Sequence, residues 1–177
     1  NFVQVKPWVV APTLEVAELR RQGFASEQGV DLSLARVAEA SGKRIVGLET
    51  AAAQIDTLDS MPLATQERVL REALDEGAPG GAETLSVVLD AWRKGDADRI
   101  EAVVFHGLGE DPELERYFEI FYFERNRRMA QSIADGVDAG GHCFVGVGAA
   151  HLVGDQGIPR PPAGQGYVVR RVPKTRR

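Results

Sequence analysis

The stretch Arg44-Ile45-Val46-Gly47-Leu48-Glu49 is the part of the chain that decides the predicted fold. It is a short apolar run with a β-branched pair, and it ends in a carboxylate, which is typical of a buried strand. A second run, Cys143-Phe144-Val145-Gly146-Val147-Gly148, is continuously apolar, like strands that are covered on both faces of a parallel sheet. Tyr167 to Val172 predicts a third strand. Because helices are predicted between these runs, the pattern indicates a layered, helix-rich α/β domain with a small, mostly parallel or mixed central sheet.

The sequence predicts more helices than are needed to cover a sheet of three strands. Sheets commonly have five or six strands, so the count indicates an incomplete domain, part of whose sheet lies elsewhere. Trp92 is expected to anchor the core, and Asp31 to cap the second helix. The predicted helices are one around Leu14–Leu19 that ends at Gly23, one from Asp31 to Gly42, and others near residues 51–58, 65–76, 83–94, 96–105 and 112–137.

Length and charge limit the classes of function. The 177 residues fit one domain, which we expect to span residues 1–177. The net charge of −5 argues against nucleic-acid binding, because neutralising phosphates requires a clustered positive surface. No run of about 18 apolar residues predicts a membrane span. Cys143 is a lone cysteine in an apolar run, so we expect a buried thiol rather than a nucleophile or a zinc ligand.

Two polar side chains follow the first two predicted strands. Glu49 ends one strand, and His151 follows the other after Gly148-Ala149-Ala150, whose small residues let a ligand approach the backbone. Ligands of open α/β sheets bind beyond the carboxyl ends of the strands. A carboxylate and an imidazole there can bind a divalent metal, or act as base and acid around a water molecule. The alternative is a carboxylate that caps the next helix and a histidine that is hydrogen-bonded in a turn.

Arg125 is the third candidate. On the predicted helix it shares an inward face with Met129 and Ile133, and an inward arginine needs an acidic partner or a bound anion. Glu49 is the obvious partner, and the alternative is an arginine at the surface. His142 precedes the second predicted strand and His106 lies in a loop, so neither is expected in the site.

Several of these stretches, in this order, resemble the TraB/GumN family, relatives of the Tiki metalloproteases. The resemblance implies a fold similar to the erythromycin-esterase and ChaN-like proteins. It also implies a site built from two Gly-x-x-His motifs, a glutamate and an arginine. On this sequence these are Gly148 with His151, Glu49, and Arg125 with Asn126 beside it. The matching pieces are Lys6-Pro7-Trp8, Gly29-Val30-Asp31, Gly47-Leu48-Glu49-Thr50 with Gln54, Glu124-Arg125-Asn126 with Met129, and Gly148-Ala149-Ala150-His151-Leu152-Val153-Gly154.

The sequence departs from the family pattern in one respect. The first Gly-x-x-His motif belongs before the Pro7-Trp8 segment, and Ala139 stands where a glycine would let His142 form one. The chain therefore resembles the C-terminal two-thirds of a family member. With Glu49 and His151 as the only credible ligands, such a fragment is expected to bind a metal weakly, if at all, because a catalytic metal normally has three protein ligands. An exposed sheet edge would favour a homo-oligomer.

The resemblance implies a divalent-metal-dependent hydrolase, in particular a peptidase, that is complete only in the full-length protein. His151 and Glu49 would hold the metal or its water, and Arg125 would orient Glu49 or stabilise an oxyanion. One alternative is a non-catalytic protein that sequesters a peptide or a porphyrin-like ligand, and another is a purely structural interaction module. Bacterial envelope, periplasmic or secreted location is implied by the resemblance alone, and the sequence does not identify the metal or the substrate.

Overall fold

The computed structural model describes residues 5–76, 81–140, 142–160 and 166–172, and helices dominate them. None of these helices has the length and apolar character needed to cross a membrane. The helices are α1 Pro7–Arg21, α2 Val30–Ala40, α3 Ala51–Asp59, α4 Leu63–Glu76, α5 Gly81–Lys94, α6 Ala97–Val104, α7 Pro112–Phe118 and α8 Glu124–Asp138. Short 3-10 turns occur at Ser26–Gln28 and Ala149–Leu152, and a π-helical segment, Glu119–Phe123, joins α7 to α8.

Local sequence signals explain where several helices begin. The Thr50 hydroxyl accepts a hydrogen bond from the Ala53 amide and caps the start of α3. Asp96 caps α6 through the Arg99 amide, and Asp111 caps α7 while Pro112 occupies the first helical position. Asp31 is not the cap of α2, because the helix already begins at Val30. Asp31 lies in its first turn, where a negative charge is favourable.

A cluster of aromatic rings lies at the centre of the hydrophobic core. The Phe105 ring packs on Phe118, Tyr122 and Phe123, with ring centroids 5.4, 5.3 and 5.4 Å away. Val153 belongs to the same cluster, so the loop after the second apolar run is anchored in the core. Around this cluster, α1 packs on α4, α4 on α7, and α5 on α6. The buried members are Ala91, Ile100, Phe105, Leu114, Phe118, Phe123 and Val153.

The predicted central sheet is wrong. Across the four described ranges no residue belongs to a β-strand, and the runs 44–49, 143–148 and 167–172 lie outside regular secondary structure. A strand exists only where a second strand completes its backbone hydrogen bonds, and apolar composition alone does not supply that partner. The expected exposed sheet edge is therefore not seen in the described part of the chain.

Two predicted core residues lie at the surface. Trp92 is 51% exposed, because its neighbour Ala91 on α5 faces the core and the helix turns Trp92 away from it. Cys143 is exposed as well, as are most apolar side chains of its run, including Phe144 at 81%. Burial of Cys143 was inferred from a sheet that the described residues do not form.

The helix predicted over residues 112–137 is present, but it is interrupted by the π-helical segment. The Glu124 amide donates to the Glu119 carbonyl, five residues back, and this widens the turn just before α8. Such turns often mark functional sites. Here the widened turn lies directly before Arg125 and Asn126.

We predict that Phe105→Ala lowers the free energy of unfolding by about 3–5 kcal/mol, because it removes the ring at the centre of the aromatic cluster. Phe144→Ala is the matched control, since the same ring is deleted at an exposed position, and it should change stability by no more than about 0.5 kcal/mol. Urea unfolding of both variants measures the difference. Equal losses would mean that the core is not centred on Phe105.

Candidate functional site

A buried ion pair joins the loop before α3 to the first turn of α8. Arg125 Nη2 lies 2.7 Å from Glu49 Oε2, and Arg125 Nε lies 3.1 and 3.0 Å from Glu49 Oε1 and Oε2. The side chains are only 10% and 7% exposed. The sequence prediction that Arg125 points inward and pairs with Glu49 is confirmed in its geometry.

Neighbouring groups hold the pair in place. Arg125 Nη1 donates to the Phe121 carbonyl at 3.0 Å, and the guanidinium carbon lies 4.9 Å from the centre of the Phe121 ring. Arg128 Nη2 lies 3.9 Å from Glu49 Oε1, so a second positive charge approaches the carboxylate from the exposed side. Burial raises the pKa of Glu49, but the hydrogen bonds and charge of Arg125 outweigh it and hold that pKa below its usual value. Glu49 is therefore a carboxylate at neutral pH.

Asn126, the next residue on α8, holds His151. The Asn126 Nδ2 group donates to the Gln156 carbonyl at 2.8 Å, and Asn126 Oδ1 lies 2.6 Å from His151 Nδ1. A carbonyl can only accept, so the bond to Gln156 fixes which end of the amide carries the hydrogens. Asn126 Oδ1 must then accept from His151 Nδ1–H. This assigns the tautomer of His151 and leaves a lone pair on Nε2.

The backbone around His151 is held by a tight loop. The His151 amide donates to the Gly148 carbonyl at 3.0 Å, and the His151 carbonyl accepts from the Ile158 amide at 2.8 Å. Gly154 has a φ of 76°, a backbone conformation that strains residues with a side chain and therefore favours glycine in this turn. Because Val153 is buried in the core, the imidazole is fixed relative to α8.

The environment favours the neutral imidazole. Burial lowers the pKa of His151 below 6.5, and the positive charge of Arg125 lowers it further, while the negative charge of Glu49 opposes both. Arg125 and Glu49 thus act on the imidazole with opposite signs. The Tyr122 ring lies against the imidazole, with the ring centroids 5.5 Å apart. At neutral pH the site therefore holds a carboxylate, a guanidinium and a neutral, oriented imidazole.

Comparison with models of protein families gives one finding. The model of the TraB/PrgY/gumN family matches residues 1–171, which include every residue of this site. The chain belongs to the TraB/PrgY/gumN family. No curated protein and no solved structure matched the chain. The family match thus confirms the resemblance drawn from the motifs, and it does not specify a reaction.

In this TraB/PrgY/gumN member, the four expected side chains lie in two adjacent pairs, Glu49 with Arg125 and Asn126 with His151. At Gly148 a Cβ would make an ordinary contact, 3.7 Å from His151 Cδ2, so the packing there does not require glycine. The sequence analysis missed two groups. The Gln156 and Phe121 carbonyls fix Asn126 and Arg125, and backbone acceptors of this kind leave no signal in side-chain chemistry.

The described residues of this chain do not by themselves supply enough ligands for a catalytic metal ion. A catalytic metal normally has three protein ligands, and within the described ranges no three His, Cys, Asp or Glu side chains are grouped to hold one. Glu49 and His151 are the two donors of the site, and both Glu49 oxygens already accept hydrogen bonds from Arg125.

We predict that His151 titrates below pH 6.5 in the folded protein, because burial and Arg125 disfavour its charged form. The unfolded chain binds this proton more readily, so the contribution of His151 is fully present above about pH 6.5 and is lost as the pH falls through the folded-state pKa. An NMR titration of the ring protons measures the pKa, and urea unfolding against pH measures the stability. His151→Gln should remove that part of the pH dependence, and an unchanged pH dependence in this variant would contradict the assignment.

We predict that removing one partner of the Glu49–Arg125 ion pair destabilises the protein more than removing both partners does. Arg125→Met leaves the Glu49 charge buried without its partner and should lower the free energy of unfolding by about 3–5 kcal/mol. Adding Glu49→Leu should restore part of that loss, because no buried charge remains. Arg127→Met is the control, since Arg127 pairs with Glu119 at the exposed surface, where such pairs contribute about 0–1 kcal/mol. A double variant as unstable as the sum of its single variants would contradict this account.

Proposed function

We propose that this chain is part of a hydrolase of the TraB/PrgY/gumN family that cleaves peptide bonds, with His151 as its reactive side chain. The observation that supports this most is the orientation of the imidazole. Asn126 Oδ1 takes the Nδ1 proton at 2.6 Å, and Asn126 is itself fixed by the Gln156 carbonyl. Nε2 therefore carries the lone pair, and the lowered pKa of His151 keeps it unprotonated at neutral pH.

The proposed chemistry is the addition of water to a peptide carbonyl. His151 Nε2 takes a proton from the attacking water while the water oxygen bonds to the carbonyl carbon. As the C–N bond breaks, the same nitrogen returns the proton to the leaving amine. During the first step the imidazolium is stabilised by the Asn126 carbonyl oxygen, which already accepts the Nδ1 proton. An amide oxygen of this type is known to orient catalytic histidines on unrelated folds.

Arg125 and Glu49 have a positioning role in this proposal. Arg125 gives hydrogen bonds to both Glu49 oxygens and to the Phe121 carbonyl, which commits much of its hydrogen-bonding capacity to the protein. This arrangement favours a role for Arg125 in orienting Glu49 over a role in contacting an oxyanion directly. The pair also fixes the first turn of α8, from which Asn126 reaches His151.

The divalent metal implied by the resemblance stays a prediction. A chelator separates it from the mechanism above, because cleavage that relies on His151 alone should survive EDTA. Loss of cleavage in EDTA, with recovery on adding a divalent ion, would show that cleavage depends on a metal ion and would contradict catalysis by His151 alone. Saturable peptide binding with no turnover under either condition would favour the sequestering protein.

We predict that His151→Ala lowers peptide cleavage by at least about 10²-fold, which is the low end for loss of a general base. His142→Ala is the matched control, because it removes an exposed histidine outside the site. Mass spectrometry of a peptide mixture incubated with the full-length form of each protein measures the rates, and circular dichroism checks that the variants fold. Equal rates for the two variants would overturn the role of His151.

A further inference from the structure

An apolar groove runs beside the C-terminal part of α8. Its wall on the helix is formed by Ala130, Ile133, Ala134 and Val137, and it encloses a volume of about 180 Å³. Opposite the helix lie Ile158, Tyr167 and Val169. All of these side chains are apolar or aromatic, and the one polar tip, the Tyr167 hydroxyl, donates to Asp138 Oδ1 at 2.7 Å. The groove therefore suits an uncharged, apolar group.

The groove lies on the face of α8 that also carries Asn126, which holds His151. Ala130, Ile133 and Val137 follow Asn126 by four, seven and eleven residues, so all four share one face of α8. At a rise of about 1.5 Å per residue, Ala130 lies about 6 Å along the helix axis from Asn126. On the opposite wall, Ile158 is linked directly to His151, because the Ile158 amide donates to the His151 carbonyl.

The position of the groove limits what can occupy it. In the binding mode that we consider, the peptide carbonyl lies at His151 Nε2 and a neighbouring side chain extends along the face of α8 that carries Asn126. Burying an apolar side chain there is favourable, whereas a charged side chain would lose its hydration without gaining a partner from the lining residues.

We infer that this groove is the subsite for an apolar side chain of the peptide, next to the bond that is cleaved at His151. The inference rests on the proposed function, and it adds a specificity. The chain should prefer leucine-like or aromatic residues at that position over glycine or charged residues. Ala134 and Ala130 set the depth of the groove, because any larger side chain at either position would fill it.

The first test measures binding and does not require cleavage. N-acetyl-leucine amide and N-acetyl-glycine amide are titrated into the full chain while NMR follows the methyl groups of Ala130, Ile133 and Ile158. The leucine probe should give saturable shifts and the glycine probe should not. Ala134→Leu should abolish the shifts, and Ala130→Leu provides a second filled groove if the first variant does not fold. Gln131→Leu is the matched control, because it adds the same side chain at an exposed position of α8.

The second test uses peptides that differ only at the residue beside the cleaved bond. Ala134→Leu should reduce kcat/KM for the leucine peptide by about 10–200-fold relative to the glycine peptide, the usual range for contacts of this size. Cleavage without methyl shifts and without this preference would overturn the subsite. Methyl shifts without any cleavage would contradict the proposed function but would support the groove as a site for apolar side chains.

Discussion

The buried ion pair between Glu49 and Arg125 is the constraint on which the candidate site depends. Two charges with no more than a tenth of their side-chain surface exposed are tolerated only when each compensates the other. The pair therefore fixes the loop before α3 against the first turn of α8, although the two residues are 76 positions apart in the chain. An apolar contact could hold the same elements together, but it would not fix their rotation as a bidentate guanidinium does.

The pair also determines the chemistry of the next residue. Because Arg125 is rotated toward Glu49, Asn126 is turned by about 100° on α8 and faces His151. Burial lowers the pKa of that histidine most, Arg125 lowers it further and Glu49 opposes both, so the ion pair adds to the effect of burial on the imidazole. Positioning and electrostatics thus come from the same side chains, and a change at either partner should be felt at His151.

More of the candidate site than of the fold could be predicted from the sequence. Helix patterns and caps are local, and the sequence placed α3 to α8 within a few residues. Glu49 and Arg125 were paired because a buried charge requires a partner, whatever the fold around it. The sheet was wrong because runs such as 143–148 form strands only beside other strands, and none is present among the described residues. Cys143 was wrongly buried for the same reason. Trp92 was misplaced because helical periodicity does not decide between adjacent residues such as Ala91 and Trp92.

The π-helical segment explains why the site could not be completed from the sequence. A continuous α-helix through residues 119–123 would use the Phe121 carbonyl for the backbone amide of Arg125. The widened turn instead accompanies a bond from the Arg125 side chain to that carbonyl. A change of one residue in the helical repeat rotates everything after it, including Asn126 and the groove residues, by about 100°. The spacing of apolar residues in the sequence does not reveal this change in the helical repeat. The relative positions of the aromatic core, the ion pair and the histidine therefore become visible only in the structure.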